Sequence, residues 1–217
     1  MGDATRVQQF VIARNPSMQN ESVYRLSLAP KTAADSVGTA RATLEGAQQQ
    51  LGFVPNMYAR MANAPGLLET YTHGYQVFRQ SDRLSPVEQE VIFLSISIEN
   101  GCRYCVAAHS VLADVMSHVP AEVTQALRSG APLPDAKLQA LSKFTQTMVR
   151  TRGNPSVDTA REFLAAGYSE LHILDIVLAI AVKTISNYSN HLFHTPVDTA
   201  FTKRAWTGIP RKESVVV

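Results

Sequence analysis

The sequence predicts an all-α protein in one domain. Start and stop signals for helices recur almost throughout the chain after the first thirty-odd residues, whereas the alternating apolar and polar runs of strands are nearly absent. With 217 residues the chain can bury a full core, and its 45% hydrophobic and 18% charged residues are typical of a globular protein. We therefore expect a single helical domain over residues 34–217, preceded by an extended N-terminal arm over residues 1–33 that packs on this domain or on a neighbouring subunit.

The clearest helix start lies in the stretch "SPVE", residues 85–88. Ser85 can cap the helix, Pro86 suits its first position, and Glu88 completes a capping box. The same helix should end at Asn100-Gly101, because glycine favours the backbone conformation that closes a helix.

Other helices are predicted from similar signals. The long C-terminal one should end before Pro196, because the residue before a proline is pushed out of helical geometry. The expected ranges are about 32–52, 55–62, 63–81, 102–118, 120–130, 156–167 and 169–194.

Charge and hydropathy exclude several classes of partner. The formal charge of +2 is spread thinly, with no run of Lys or Arg longer than a pair, so we expect no nucleic-acid partner. The most apolar stretch, Leu171 to Val182, is too short to cross a bilayer, so we expect no membrane segment. Residues 1–10 lack the layout of a signal peptide, which predicts a cytoplasmic location.

Both cysteines of the chain lie in the stretch "ENGCRYCVAAH", residues 99–109. At helical spacing Cys102, Cys105 and His109 fall within an arc of roughly 60°, on one face. A thiol reacts as its thiolate, and two features favour the thiolate here. The helix N-terminus favours Cys102 and the neighbouring imidazole favours Cys105, so this pattern leaves the choice of nucleophile open.

A carboxylate on the preceding helix completes the candidate site. Glu90 shares a helix face with apolar residues, so we expect it to be partly buried and its pKa to be raised by desolvation. If the chain turns sharply at Gly101, Glu90 lies opposite His109. Cys105, His109 and Glu90 would then form a line of nucleophile, base and a group that orients the base.

Simpler interpretations of these residues remain. The two cysteines could be a structural disulfide, two buried apolar side chains, or part of a zinc site with His109, although a fourth ligand is missing. His191 and His194 could be metal ligands, but histidines in a last helical turn more often interact with its carbonyl groups. We predict neither a metal nor an organic cofactor.

The spacing of Glu90, Cys102, Cys105 and His109 resembles the active-site motif of the AhpD-like alkylhydroperoxidases in the carboxymuconolactone decarboxylase family. The flanking stretches "LGFVPNMYARMANAPGLLETY" and "ISNYSNHLFHTPVD" resemble its peroxidase-related branch, so that the likeness covers roughly residues 35–205. The resemblance implies an AhpD-like helical bundle that assembles into homo-oligomers. It also implies an oxidoreductase that reduces alkyl or hydrogen peroxides with its own thiols.

The resemblance further implies a role for each residue of the motif. Cys105 would attack the peroxide, Cys102 would condense with it to a disulfide, and Glu90 with His109 would relay the proton. A dithiol reductant, either a protein-bound lipoyl group or a thioredoxin-like protein, would then attack Cys102, which we expect to be the more open sulfur. The sequence departs from the best-known member at Tyr104, where that protein has a histidine in its relay.

Two other functions fit the same sequence. One is a lyase that decarboxylates a muconolactone-type acid, a reaction that has no use for two thiols. The other is a redox-sensing or interaction protein, in which a slowly formed disulfide changes the assembly.

Overall fold

A computed structural model describes residues 23–209. This part of the chain is helical and contains no strand, which confirms the all-α prediction. Nine α-helices are followed by a 3₁₀ helix at Thr199–Arg204 within these residues. The α-helices are α1 Gly38–Leu51, α2 Asn56–Met61, α3 Pro65–Arg79, α4 Pro86–Glu99, α5 Arg103–Val115, α6 Ala121–Ser129, α7 Ala136–Thr151, α8 Val157–Ala165 and α9 Glu170–Phe193.

Helix α4 is the centre of the fold. Every residue from Glu88 to Ile98 is buried, and the helix packs against α5, α6, α7 and α9. A helix that is buried on all sides places any polar side chain it carries inside the core, where that side chain needs a partner. Glu90 is therefore placed in the interior by the position of its helix.

Both ends of α4 form as predicted. The Ser85 N–H donates to Glu88 Oε2 (2.9 Å) and the Glu88 N–H donates to Ser85 Oγ (3.3 Å), which makes the capping box. At the other end Gly101 has φ of +68°. The Gly101 N–H donates to the Ile98 carbonyl (3.0 Å) and the Cys102 N–H to the Ser97 carbonyl (2.9 Å), a Schellman turn that folds α5 back along α4.

Two helix starts differ from the prediction, and one helix was not predicted. Helix α1 begins at Gly38 instead of near residue 32, because Thr32 and Asp35 form a local turn through their side chains (2.7 Å). Helix α7 was not predicted, although Asp135 caps it by accepting the Leu138 N–H (2.8 Å). Cys102 is the residue that caps α5 and does not lie within the helix.

Residues 23–33 contain no helix and pack on the helical body. The Leu26 N–H donates to the Leu192 carbonyl (2.9 Å), and the Lys31 N–H donates to the Ala59 carbonyl (2.7 Å). The rest of the expected arm, residues 1–22, lies outside the described residues, so the division at residue 33 stays a prediction.

Helix α9 is longer than the apolar stretch that the sequence suggests. Its 24 residues and the mean hydropathy of 1.4 in its most apolar window would allow it to cross a membrane, by length and composition alone. Of the residues in that window, 39% are buried inside the fold. It packs against α2, α3, α4 and α5. It also buries Asp175, Lys183 and Asn187 inside the fold, which is the pattern of a core helix.

The Schellman glycine gives a matched stability test. Gly101→Ala should destabilise the protein by about 1 kcal/mol, because alanine in the left-handed region is strained although the space is open. Gly46→Ala, in the right-handed interior of α1 and equally free of contacts, should stabilise it by about 0.5–1 kcal/mol. Urea denaturation measures both; equal effects of the two substitutions would show that the turn does not depend on the glycine.

Candidate active site

The predicted contact between Glu90 and His109 is present. His109 on α5 places Nδ1 at 2.9 Å from Glu90 Oε2 on α4, across the turn at Gly101. Glu90 has a second partner that the sequence did not suggest, because Arg79 at the end of α3 binds its Oε1. The guanidinium of Arg79 is also hydrogen-bonded to the Tyr75 hydroxyl (3.1 Å) and lies over the ring of Phe93, 4.9 Å from its centroid.

The expected state of Glu90 was wrong in two respects. The residue is fully buried (0% exposed) instead of partly buried. Burial alone would raise its pKa, but the His109 ring and the Arg79 guanidinium outweigh burial and lower the pKa of Glu90. Glu90 is therefore a carboxylate that accepts hydrogen bonds.

His109 is a neutral ring held in one tautomer. Burial and the nearby Lys183 charge lower its pKa below the ordinary 6.5, against the opposite effect of Glu90. Because ionised Glu90 can only accept, Nδ1 carries the hydrogen and Nε2 keeps a free lone pair. The ring lies against Phe93, with centroids 4.9 Å apart, which fixes its orientation.

Both cysteines are free thiols, and both are buried. Cys105 is 2% exposed and Cys102 is 1% exposed, so the expectation that Cys102 is the more open sulfur was wrong. The reason is the Schellman turn, which holds the backbone of Cys102 against α4. Two polar side chains of α9 contact the other sulfur: the Asn190 amide lies 3.3 Å and the Ser186 hydroxyl 3.9 Å from Cys105 Sγ.

The surroundings of the two thiols separate their pKa values. Burial disfavours both thiolates. At Cys105 the Cys102 thiol, the Lys183 ammonium and the Asn190 amide outweigh burial, so the pKa of Cys105 lies well below its ordinary value. The same thiol–thiol contact and burial raise the pKa of Cys102. Of the two cysteines that the sequence left open, Cys105 is thus the one that ionises more readily.

A cavity of about 640 Å³ leads to Cys105. Cys105 and His109 line it and Cys102 does not. Its wall is mainly aromatic and apolar, and includes Phe53, Tyr58, Tyr71, Tyr75, Tyr104 and Phe201. A molecule in this cavity would meet the sulfur of Cys105 from an apolar surrounding.

Tyr104, at the position of the departure from the family motif, is part of this wall. Its hydroxyl donates to Asp198 Oδ2, and Asp198 Oδ1 accepts the Asn56 N–H (3.0 Å). Burial and the Asp198 carboxylate raise the pKa of Tyr104. The phenol therefore keeps its proton and cannot serve as a base.

The candidate site includes residues that the sequence reasoning missed. Arg79, Lys183, Asn190 and Asp198 come from α3, from α9 and from the segment after α9, far from the cysteine motif in sequence. Asn190 and Asp198 lie in the flanking stretch "ISNYSNHLFHTPVD", which carried no role for them, and Arg79 and Lys183 lie outside both flanking stretches. His191 and His194, in contrast, are exposed at the end of α9, and no group of three or more metal-binding side chains was found among the described residues.

Comparison with known proteins agrees with this fold. Residues 65–146 match the sequence model of the carboxymuconolactone decarboxylase family. No protein of curated function matches the chain. Over residues 65–146 the chain is similar to the carboxymuconolactone decarboxylase family, and its helical fold is AhpD-like.

Solved structures share the architecture at low sequence identity. A peroxidase-related protein from Ralstonia eutropha JMP134, described as an alkylhydroperoxidase AhpD core, has a TM-score of 0.72 at 19% identity, over 84% of this chain and 96% of that one. A peroxidase-related protein from Silicibacter sp. TM1040 has a TM-score of 0.68 at 23% identity, over 84% and 96%. The debrominase Bmp8, in complex with 2,3,4-tribromopyrrole, has a TM-score of 0.65 at 19% identity, over 84% and 94%.

The state of His109 can be measured directly. In nitrogen-edited NMR spectra we expect a neutral ring at pH 6.5, with hydrogen on Nδ1, because burial and Lys183 lower its pKa below that value. In Glu90→Gln the amide can also donate, so the preference for this tautomer should weaken. A ring that is half-protonated at pH 6.5, or one with hydrogen on Nε2, would contradict this geometry.

Proposed function

We propose that this protein is a thiol-dependent peroxidase that reduces organic hydroperoxides by a dithiol–disulfide cycle of Cys105 and Cys102. The observation that carries the proposal is the position of Cys105. It is the cysteine with the lowered pKa and the only one of the two on the wall of the cavity, and Cys102 lies against it. A thiolate that meets an apolar cavity and has a second thiol beside it suits peroxide reduction.

In the first step the Cys105 thiolate attacks the terminal oxygen of the hydroperoxide. The oxygen–oxygen bond breaks, Cys105 becomes a sulfenic acid, and the alkoxide takes up a proton to become an alcohol. In the second step the Cys102 sulfur attacks Cys105, forms the disulfide and releases water. In sum, one thiolate, one thiol, one hydroperoxide and one proton give a disulfide, an alcohol and a water molecule.

His109 and Glu90 have a defined task in this cycle. Cys105 has the lowered pKa and ionises more readily, whereas Cys102 has a raised pKa and must lose its proton to a base to react. The neutral His109 ring, with Nε2 free, can accept that proton and return it to the departing oxygen. Glu90 holds the ring and stabilises its charged form.

The cavity favours an organic peroxide over hydrogen peroxide. Its volume of about 640 Å³ and its aromatic wall fit an aromatic or branched alkyl group, and a molecule as small as hydrogen peroxide would leave most of this surface uncovered. The peroxidase-related names of two structural relatives are consistent with this chemistry.

The burial of both sulfurs limits the shape of the reductant that can reach them. We propose a dithiol on a slender arm, such as a protein-bound lipoyl group, as the electron donor. A thioredoxin-like protein is the alternative, but it presents its dithiol on a broad surface, and neither cysteine here is more than 2% exposed. We also propose a cytoplasmic location for this protein.

We also propose that the protein forms homo-oligomers. Large apolar side chains are exposed along α9, namely Leu171, Leu174, Val177, Tyr188 and Leu192. Such a surface is commonly covered by another subunit. Light scattering coupled to size exclusion would give the same oligomer for the reduced and the oxidised protein; a change of assembly upon oxidation would favour the redox-sensing function instead.

Single cysteine variants test the cycle. Cys105→Ser should abolish consumption of cumene hydroperoxide, because the sulfur that meets the cavity is lost. Cys102→Ser should react once and stop at a sulfenic acid on Cys105, which dimedone labels and mass spectrometry locates. Ser117→Ala, outside the site, serves as the control. Peroxide consumption by Cys105→Ser at the wild-type rate would rule out the mechanism.

The lyase function has its own test. A Cys102→Ser, Cys105→Ser double variant with full decarboxylase activity would favour the lyase.

A further inference from the structure

Helix α9 carries a buried polar stripe that faces the cysteines. Lys183, Ser186, Asn187 and Asn190 follow one another at helical spacing on one face, and all four are buried. Asn190 and Ser186 contact Cys105 Sγ directly. Lys183 belongs to the same stripe, one turn nearer the start of the helix, and lines the cavity with Cys105 and His109.

Lys183 is a buried cation without a polar partner in the described part of the chain. The residue is 1% exposed, and its Nζ makes no hydrogen bond and no salt bridge among these residues. Its Nζ lies over the ring of Phe93, 5.3 Å from the ring centroid. A buried ammonium is costly unless an anion lies close to it.

The charges of the site show which anion is available. Glu90 already has Arg79 and His109 as partners, so its negative charge is neutralised without Lys183. Asp198 is bound to Tyr104 and to the backbone of Asn56. The remaining titratable groups around the sulfur are Cys102, Tyr58, Tyr71 and Tyr75, whose pKa values are all raised, so that they stay neutral. Among the described residues around Lys183, this leaves Cys105 as the group that can carry a negative charge.

We propose that Lys183 is the counter-ion of the Cys105 thiolate, and that this pair makes the Cys102–Cys105 disulfide easy to reduce. The Lys183 charge acts on both sulfurs and favours their ionised forms, which fits this arrangement. The pairing itself does not depend on peroxide turnover, whereas its value to a catalytic cycle rests on the proposed function.

Oxidation removes the anion and leaves the cation. In the reduced protein the thiolate and the ammonium neutralise each other, whereas a disulfide is neutral and leaves Lys183 unpaired. The reduced form is thereby stabilised relative to the disulfide, which raises the reduction potential. At a pH above the pKa of Cys105, reduction takes up two electrons and only one proton, and gives one thiolate and one thiol. Below that pKa it takes up two protons.

The test compares Lys183→Met with Lys143→Met, which makes the same substitution at an exposed site on α7. The first measurement is the ultraviolet absorbance of the thiolate during a pH titration of the reduced protein. In Lys183→Met the pKa of Cys105 should rise by one unit or more, and Lys143→Met should behave as the wild type. The second is the equilibrium with glutathione at neutral pH, where reduction of the Lys183→Met disulfide should be about tenfold less favourable, equivalent to about 30 mV.

Unchanged titration and equilibrium in Lys183→Met would overturn the proposal. If that variant does not fold, the wild-type protein still tests the proposal, through the pH dependence of the reduction potential of its Cys102–Cys105 disulfide. One proton per two electrons at neutral pH agrees with the pair, and two protons contradict it. Neither measurement uses peroxide, so a protein that holds the thiolate but consumes no hydroperoxide would refute the proposed function and leave the pair intact.

Discussion

The structure depends on the burial of one carboxylate in the centre of a helical core. Glu90 is fully buried on α4, the helix around which the others pack, and it is tolerated there because Arg79 from α3 and His109 from α5 both bind it. A buried charge without such partners would cost several kcal/mol. The same two contacts that satisfy Glu90 also join three helices and fix the tautomer of His109, so stability and site geometry share one interaction.

The site also contains two sulfurs with different properties. The Schellman turn at Gly101 sets Cys102 at the cap of α5, against α4, while Cys105 lies one turn further on and meets the cavity and the polar stripe of α9. Identical side chains therefore ionise differently because their surroundings differ. In the proposed cycle this difference makes Cys105 the attacking sulfur and Cys102 the resolving one, and His109 with Glu90 serves the second step.

The sequence predicts the parts of this arrangement that are local in the chain. The capping box at Ser85 and the glycine at position 101 bound α4, and the short turn after it brings Glu90 opposite His109, so their contact could be foreseen. Arg79 could not, because it reaches Glu90 from a helix whose packing no local signal specifies. Without Arg79, the expected shift of the Glu90 pKa had the wrong sign. Lys183 and Asn190 were missed for the same reason. The burial of Cys102 was also missed, because it results from the packing of its turn against α4, which no local signal in the sequence shows.

The most direct test of the central claim is a titration of the reduced wild-type protein with cumene hydroperoxide, following free thiols and intact mass within seconds. We expect one equivalent of peroxide to remove both thiols and to lower the mass by two hydrogens, which indicates a Cys102–Cys105 disulfide. Thiols that survive an excess of peroxide, or a gain of oxygen without a disulfide, would contradict it.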